Sequence, residues 1–141
     1  MTDHTYDNDN IFAKILRGEI PCTKIYEDNK TFAFMDIMPR CDGHCLVLPK
    51  APARNIFDVN PEDLASVMET TQKLSRAVMK AFNADGITIK QSNEPAGDQA
   101  VFHLHVHIIP RFNGVRMPPY TGKMEEPKKL EANAAKIRAE L

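Results

Sequence analysis

Three histidines at alternate positions in a short apolar segment constrain this chain more than any other feature. Residues 101–110 read VFHLHVHIIP, so that single apolar residues separate His103, His105 and His107. Side chains of an extended strand alternate between its two faces, and a strand here places the three imidazoles on one face. With five histidines in 141 residues, chance produces such a triplet in roughly 0.6% of cases. We predict a strand over 101–109 with a histidine face.

Three interpretations of this histidine face are open. The imidazoles are hydrogen-bonded polar side chains without a reaction, or ligands of a metal ion such as zinc, or parts of a catalytic centre. In the last case, a neutral imidazole nitrogen attacks a phosphorus atom, because imidazole is a good nucleophile when its other N–H has an acceptor. The flanking histidines then orient the nucleophile and neutralise phosphoryl charge. Three histidines at alternate positions favour a metal site or a catalytic centre over histidines that only form hydrogen bonds.

The remaining patterns predict one α+β domain with an antiparallel sheet of about five strands. The other predicted strands are 24–27, 31–35, 44–48 and 87–91, the first two forming a hairpin. The predicted helices are Ile11–Arg17 after an Asn10 cap, Asn60–Phe82, and about 127–141. Asn60 and Pro61 have the residue types that begin a helix. We expect short turns between neighbouring strands, a flexible tail over residues 1–9, and a C-terminal extension over 112–141.

Charge and composition exclude several classes of protein. The chain has 18 Lys and Arg against 19 Asp and Glu, which argues against a protein that coats nucleic acid or an acidic membrane. No apolar run approaches the roughly 20 residues that span a bilayer. Cys22, Cys41 and Cys45 form no Cys-x-x-Cys pair, and the N-terminal residues are polar. We therefore expect reduced thiols and a cytoplasmic protein.

Several segments together resemble one family. HLHVHII at 103–109 matches the His-φ-His-φ-His-φ-φ signature of the histidine triad (HIT) family of nucleotide hydrolases and transferases. Further segments follow in the family's order: IFAKI at 11–15, GEIP at 18–21, AFMDI at 33–37 and GHCLVLPK at 43–50. The resemblance runs from about Asn10 to Arg111 and is strongest to the Hint-like branch. It implies a HIT-like fold, binding of purine nucleoside monophosphates, and a homodimer that joins two sheets.

The resemblance implies a role for each matching residue. His105 matches the nucleophile, which forms a nucleotidyl-histidine intermediate that water hydrolyses, and His107 matches the histidine that contacts the scissile phosphate. His103 and His44 match supporting histidines, and Asp36 matches the carboxylate that binds the ribose hydroxyls. The other matches are Ile11, Phe12, Phe34, Ile37 and Leu46 around the base, Asn93 near phosphate and ribose, and Gln99 with Ala100 in the phosphate turn. Without the resemblance, the apolar residues fit a core and the polar ones fit turns.

The sequence departs from the family pattern at three places. Asn10 and Ala13 stand where some bacterial members carry a Cys-x-x-Cys pair that binds zinc together with two histidines, so we expect no such zinc site. Ala100 stands where many members have a Ser or Thr whose hydroxyl helps to protonate an amine leaving group. Asp98 stands where a Gly is usual, which places a carboxylate beside the phosphate turn.

The sequence thus predicts a HIT-family hydrolase acting on purine nucleotide phosphoramidates or related nucleotidyl compounds. We expect no cofactor, with Mg²⁺ present only where a polyphosphate substrate carries it. The expected partners are a small-molecule nucleotide and a second copy of the chain, with neither nucleic acid nor membrane. Three alternatives are open: a dinucleoside polyphosphate hydrolase, a nucleotide-binding protein with little turnover, and a metalloenzyme with histidine ligands.

Overall fold

The computed structural model of the protein describes residues 5–141. Its helices are α1 (Ile11–Leu16), α2 (Pro61–Ala81) and α3 (Pro127–Arg138). Its strands are β1 (Lys24–Glu27), β2 (Thr31–Met35), β3 (Cys45–Pro49), β4 (Gly86–Lys90) and β5 (Val106–Arg111), and Pro95–Gly97 forms a single 3-10 turn. The described chain is therefore α+β, as predicted. Within residues 5–141, no helix has both the length and the apolarity that crossing a membrane requires.

The five strands form one antiparallel sheet in the order β1-β2-β3-β5-β4. Strand β5 lies between β3 and β4, so the chain crosses the sheet through α2 before it adds the edge strand β4. The prediction of short turns holds for the hairpin of β1 and β2 and is wrong elsewhere. Residues 36–44 join β2 to β3, and residues 91–105 join β4 to β5. Both of these longer connections contribute to the candidate site.

The two faces of the sheet have different coverings. On one face, α2 buries a stripe of Val67, Leu74 and Val78 against the sheet, and α3 packs against α2 and β1 to complete this core. The opposite face carries a smaller cluster formed by Phe12 of α1 and by residues of β2 and β3, namely Phe32, Phe34, Leu46 and Leu48. Every residue of β2 and β3 is buried, because each strand packs on both faces.

Two helices begin where the sequence predicts. The Asn10 side chain accepts a hydrogen bond from the Ala13 N–H at 2.8 Å, and the Asn60 side chain accepts one from the Glu62 N–H at 2.9 Å. These bonds satisfy N–H groups that a helix N-terminus leaves without internal partners. The chain leaves α1 through Gly18, whose φ of +78° favours glycine.

The histidine strand is shorter than predicted, because β5 begins at Val106 and not at Val101. The main-chain groups before Val106 bond elsewhere instead of joining the ladder. The Leu104 N–H donates to the Ala53 carbonyl at 2.8 Å, and the His103 carbonyl accepts from the His105 side chain at 2.6 Å. The prediction that all three histidines share one face of a strand is therefore wrong. Only His107 lies in a strand.

Candidate active site

A cavity of about 480 Å³ lies on the face of the sheet that α1 covers. Its apolar walls include the five residues that the sequence predicts around a base: Ile11, Phe12, Phe34, Ile37 and Leu46. Its polar lining includes Asp36, Arg40, His44, Lys90, Asp98, His105 and His107, together with Ala100. The cavity thus combines an apolar pocket with a cluster of imidazoles, which is a typical composition for a small-molecule site.

One row of paired residues crosses the floor of this cavity. Phe34 of β2 pairs with Leu46 of β3, Leu46 pairs with His107 of β5, and His107 pairs with Lys90 of β4. Side chains of directly paired residues lie on the same face of a sheet. The floor therefore changes along the row from apolar, through imidazole, to a cationic amine at the edge strand.

The main chain fixes the proton of His105. A carbonyl oxygen can only accept, so the 2.6 Å contact between His105 Nδ1 and the His103 carbonyl places the proton on Nδ1. In neutral imidazole the other nitrogen, Nε2, then carries a lone pair. Within residues 5–141, no side chain or main-chain group forms a hydrogen bond with that Nε2. The ring is held edge-on by Phe12 and by His107, with ring centroids 4.9 and 5.0 Å away.

A second main-chain group fixes the protons of His44 and His107. The Arg40 N–H donates to His44 Nδ1 at 3.0 Å, so a neutral His44 carries its proton on Nε2. His44 Nε2 lies 2.9 Å from His107 Nδ1 and donates to it. The proton of His107 is then on Nε2. His105 therefore offers a lone pair on its Nε2, and His107 offers an N–H on its Nε2. A nucleophilic displacement needs these two complementary groups.

His103 supports the site from behind and does not line the cavity. Its Nε2–H donates to the Pro49 carbonyl at 2.8 Å, and its Nδ1 accepts from the Tyr6 hydroxyl at 2.5 Å. Sequence reasoning missed Tyr6, which falls in the predicted tail over residues 1–9. Residues 1–4 lie outside the described part of the chain. No local pattern around Tyr6 indicates a contact nearly one hundred residues away.

Burial keeps the four histidines neutral. It lowers the pKa of His103 to about 4 and that of His107 to about 3, because a buried imidazolium loses its hydration. It also lowers the pKa of His105 and of His44, and the nearby Lys90 ammonium acts in the same direction. A neutral His105 is required if its Nε2 lone pair is to act as a nucleophile.

Asp36 completes a polar cluster with His44 and His107. Its Oδ1 accepts from the Met38 N–H at 2.8 Å, and its Oδ2 lies 3.4 Å from His44 Nε2 and 3.9 Å from His107 Nδ1. One ligand atom from each of the three lies within 4.8 Å of the others, so the set has the composition of a small metal site. The Arg40 N–H, however, places a proton on the His44 nitrogen that faces the cluster. A metal ligand needs a lone pair there.

Besides His103, two further predicted site residues lie outside the cavity. The Asn93 side chain bonds to the Gln91 side chain and accepts from the Ile56 N–H at 2.8 Å. Gln99 is buried and bonds to the Asn55 side chain, the Arg54 carbonyl and the Glu94 N–H. Both side chains hold the 91–105 connection together. Its neighbours Asp98 and Ala100 do line the cavity.

Sequence reasoning also missed lining residues that come from distant segments. Lys90 stands at the end of β4, Arg40 stands in the connection between β2 and β3, and Tyr120 comes from the C-terminal extension. The extension is anchored there by the Glu125 N–H, which donates to the Ile37 carbonyl at 2.8 Å. The register of the edge strand is the signal that identifies Lys90, since it pairs with His107.

The fold and this cluster of neutral imidazoles define a histidine-centred small-molecule site. The family model of the HIT domain matches residues 17–114, which is well over half of the chain. The chain belongs to the HIT domain family, as its sequence predicts.

Relatives and solved structures agree with this assignment. The crystal structure of a HIT-like protein from Bartonella henselae, described as involved in cell-cycle regulation, is 51% identical with a TM-score of 0.93, and covers 97% of this chain and 99% of that one. The adenosine 5'-monophosphoramidase hnt1 of Schizosaccharomyces pombe is 37% identical over 91% of this chain and 98% of its own length. The adenylylsulfatase HINT3 of Arabidopsis thaliana is 37% identical over 76% of this chain, and the match spans only 54% of that relative.

Proposed function

We propose that this protein is a nucleotidyl hydrolase that releases a purine nucleoside monophosphate through a covalent intermediate on His105. The observation that carries the proposal is the hydrogen bond from His105 Nδ1 to the His103 carbonyl, which leaves a lone pair on Nε2. The names of the Schizosaccharomyces and Arabidopsis relatives, a monophosphoramidase and an adenylylsulfatase, support a reaction at the phosphorus of an adenylyl group.

In the first step, the His105 Nε2 lone pair attacks the α-phosphorus. A bond forms between phosphorus and Nε2, and the bond from phosphorus to the leaving nitrogen or oxygen breaks, with its electron pair going to the leaving group. The His103 carbonyl accepts the Nδ1–H throughout and stabilises the positive charge of the modified ring. His107 Nε2–H donates to the leaving atom. An amine leaving group takes a proton from solvent.

In the second step, water attacks the nucleotidyl-histidine. A bond forms between phosphorus and the water oxygen, the bond to Nε2 breaks, and its electron pair returns to His105. The proton of the water is released to solvent. The product is the nucleoside monophosphate, and His105 regains the tautomer that its main-chain partner favours.

The residues that line the cavity support a specific mode of nucleotide binding. The apolar walls of Phe12, Phe34 and Leu46 accept the flat faces of a purine base. The Asp36 carboxylate lines the same cavity, with Oδ2 3.4 Å from His44 Nε2 and 3.9 Å from His107 Nδ1, and it can accept hydrogen bonds from the ribose hydroxyls. The phosphorus then lies beside His105 and His107.

The reaction that we propose needs no metal ion bound by the protein. His44 presents an N–H and not a lone pair to the cluster of Asp36, His44 and His107, because the Arg40 N–H occupies its Nδ1. Metal analysis of protein purified without an affinity tag tests this part of the proposal. Stoichiometric zinc, lost together with turnover on chelation, would contradict it.

We also propose a homodimer formed through the edge strand β4, acting in the cytoplasm. In the sheet that residues 5–141 form, strand β4 has only one neighbour, and apolar side chains are exposed on it and just after β5, among them Ile89, Phe112 and Val115. An unpaired strand edge with apolar neighbours favours association. Light scattering at micromolar concentration is expected to give twice the chain mass of 15.9 kDa, and a monomer there contradicts the dimer. The three cysteines are free, which suits a reducing compartment.

The decisive experiment measures AMP release from adenosine 5′-phosphoramidate with a chelator present. The wild-type protein is expected to turn over, and His105→Ala to lose activity by a factor on the order of 10³ or more, because the nucleophile is gone. Equilibrium binding of AMP to the variant serves as its folding control. If the wild-type protein binds AMP but hydrolyses no nucleotidyl compound, the protein is a nucleotide-binding protein and the proposed reaction is wrong.

A further inference from the structure

The cavity contains two cations that the mechanism above does not use. Lys90 and Arg40 both line it and are partly buried, and neither forms an ion pair with any residue in 5–141. Two carboxylates, Asp36 and Asp98, also line the cavity. Asp36 is held beside His44 and His107, and Asp98 is exposed on the 91–105 connection. Partly buried cations without partners, beside a reacting centre, are suited to an anionic ligand.

The position of Lys90 relative to the reacting atoms follows from strand register. In the row across the cavity floor, Phe34 and Leu46 precede His107, and Lys90 follows it. Neighbouring strands lie about 4.8 Å apart, so the Lys90 backbone is one strand beyond His107 and the apolar pair lies on the other side. A nucleotide with its base over Phe34 and its phosphorus at His107 directs its leaving group towards Lys90.

Arg40 approaches the same region from the connection between β2 and β3. Its main-chain N–H is committed to His44, whereas its guanidinium is free to contact a ligand. The charges of Lys90 and Arg40 are both close enough to His107 to lower the pKa of that imidazole. Two cations thus line the cavity near His107, Lys90 from the edge strand and Arg40 from the connection between β2 and β3.

We propose that Lys90 and Arg40 form a subsite for an anionic leaving group, so that the preferred substrates are mixed anhydrides of a nucleoside monophosphate with phosphate, sulfate or a further phosphoryl chain. This inference rests on the proposed function and narrows its substrate class. The bond between phosphorus and the bridging oxygen breaks, and the leaving oxyanion keeps the electron pair without needing a proton from the protein. The cations neutralise the charge that develops on it.

The test compares two substrates that share the AMP moiety. Adenosine 5′-phosphosulfate has an anionic leaving group, and adenosine 5′-phosphoramidate releases a neutral amine. Lys90→Gln is expected to lower the ratio of kcat/KM for the phosphosulfate over the phosphoramidate by about tenfold or more, because it removes one ionic contact to sulfate. Lys90→Arg is expected to restore most of that ratio, and Arg40→Gln to lower it in the same direction. Lys80→Gln, an exposed charge change on α2, is the matched control and leaves the ratio unchanged.

A binding measurement makes the inference independent of turnover. ADP places its β-phosphate where the leaving group lies and is itself such an anhydride, so binding is measured in the His105→Ala background, which lacks the nucleophile. That protein is expected to bind ADP more tightly than AMP, and the added Lys90→Gln change to remove most of that preference. An unchanged ADP preference in Lys90→Gln overturns the subsite. An equal fall in kcat/KM for both substrates does so too, because it assigns Lys90 to the common AMP moiety. If the wild-type protein hydrolyses neither substrate, the proposed function fails, and the ADP comparison still decides whether the subsite exists.

Discussion

The two faces of the sheet use the same strands for different purposes. One face is closed by α2 and α3 over a continuous apolar core, in which Val47, Val106 and Ile108 of the strands meet Leu74 and Val78. The other face is covered by α1, a helix of only six residues, and leaves a cavity of about 480 Å³. Alternation along the strands assigns neighbouring residues to opposite faces. The closed face thus provides the stability that holds buried, unprotonated imidazoles on the open one.

The sharpest contrast is expected from truncating one residue on the closed face. Leu74→Ala removes a fully buried side chain of α2 and leaves a void in the core. Denaturant unfolding should show a loss of about 3 kcal/mol, while kcat/KM per folded molecule stays close to that of the wild-type protein. Phe34→Leu on the open face is the comparison, and it should mainly raise KM. A large fall in activity per folded Leu74→Ala molecule would show that the two faces are not separable.

Acid is expected to lower the stability of the folded protein through its buried histidines. Burial holds the pKa of His103 at about 4 and that of His107 at about 3, below the value near 6.5 of an unfolded chain. The unfolded state therefore binds more protons than the folded state below about pH 6.5, and stability falls as pH decreases through this range. The contribution of each histidine is on the order of 2 kcal/mol between pH 7 and pH 5.

Urea unfolding at pH 7 and pH 5 measures this loss. His103→Asn serves as the internal comparison: it loses a titrating group, and its pH dependence should be shallower than that of the wild-type protein, whatever its stability at pH 7. Identical slopes for the two proteins would contradict the assignment of a buried neutral imidazole at His103.

The smallest expected effect concerns the contact between Tyr6 and His103. Tyr6→Phe removes the hydroxyl that donates to His103 Nδ1 and leaves a buried acceptor without its partner. The cost in stability should be about 1 kcal/mol, with a modest fall in kcat, because His103 supplies the carbonyl that orients His105. Thermal unfolding and AMP release from the phosphoramidate measure the two effects. A kcat unchanged within error, together with a lower Tm, would restrict Tyr6 to a structural role.

Local patterns predicted much of the fold and part of the site. Asn10, Asn60 and Pro61 mark helix starts through chemistry that acts within a few residues, and the hairpin follows from residue types alone. The resemblance to the HIT family then indicated five of the apolar residues that line the cavity, besides Asp36, His44, His105 and His107. The helix starts and the hairpin are determined by residues close in sequence, and the cavity residues are indicated by the family pattern.

The errors arise where distant groups compete for the same main chain. Alternation predicted a strand from Val101, but the His103 carbonyl bonds to a side chain and the Leu104 N–H bonds to Ala53. Asn93 and Gln99 have the residue types of ligand contacts, yet their amides satisfy buried groups of other segments. Periodicity describes which way a side chain points in a regular element, and it has no information on hydrogen bonds formed across the fold.

The placement of protons by main-chain groups has a consequence for altering this protein. The His103 carbonyl and the Arg40 N–H determine which nitrogen of His105 and of His44 is protonated, and replacing a side chain removes neither group. The tautomer of His105 therefore depends on the conformation of the main chain and not on the neighbouring side chains. The proposed subsite of Arg40 and Lys90 predicts that substitutions at these two positions change the leaving-group preference, while the hydrogen bond that orients His105 is retained.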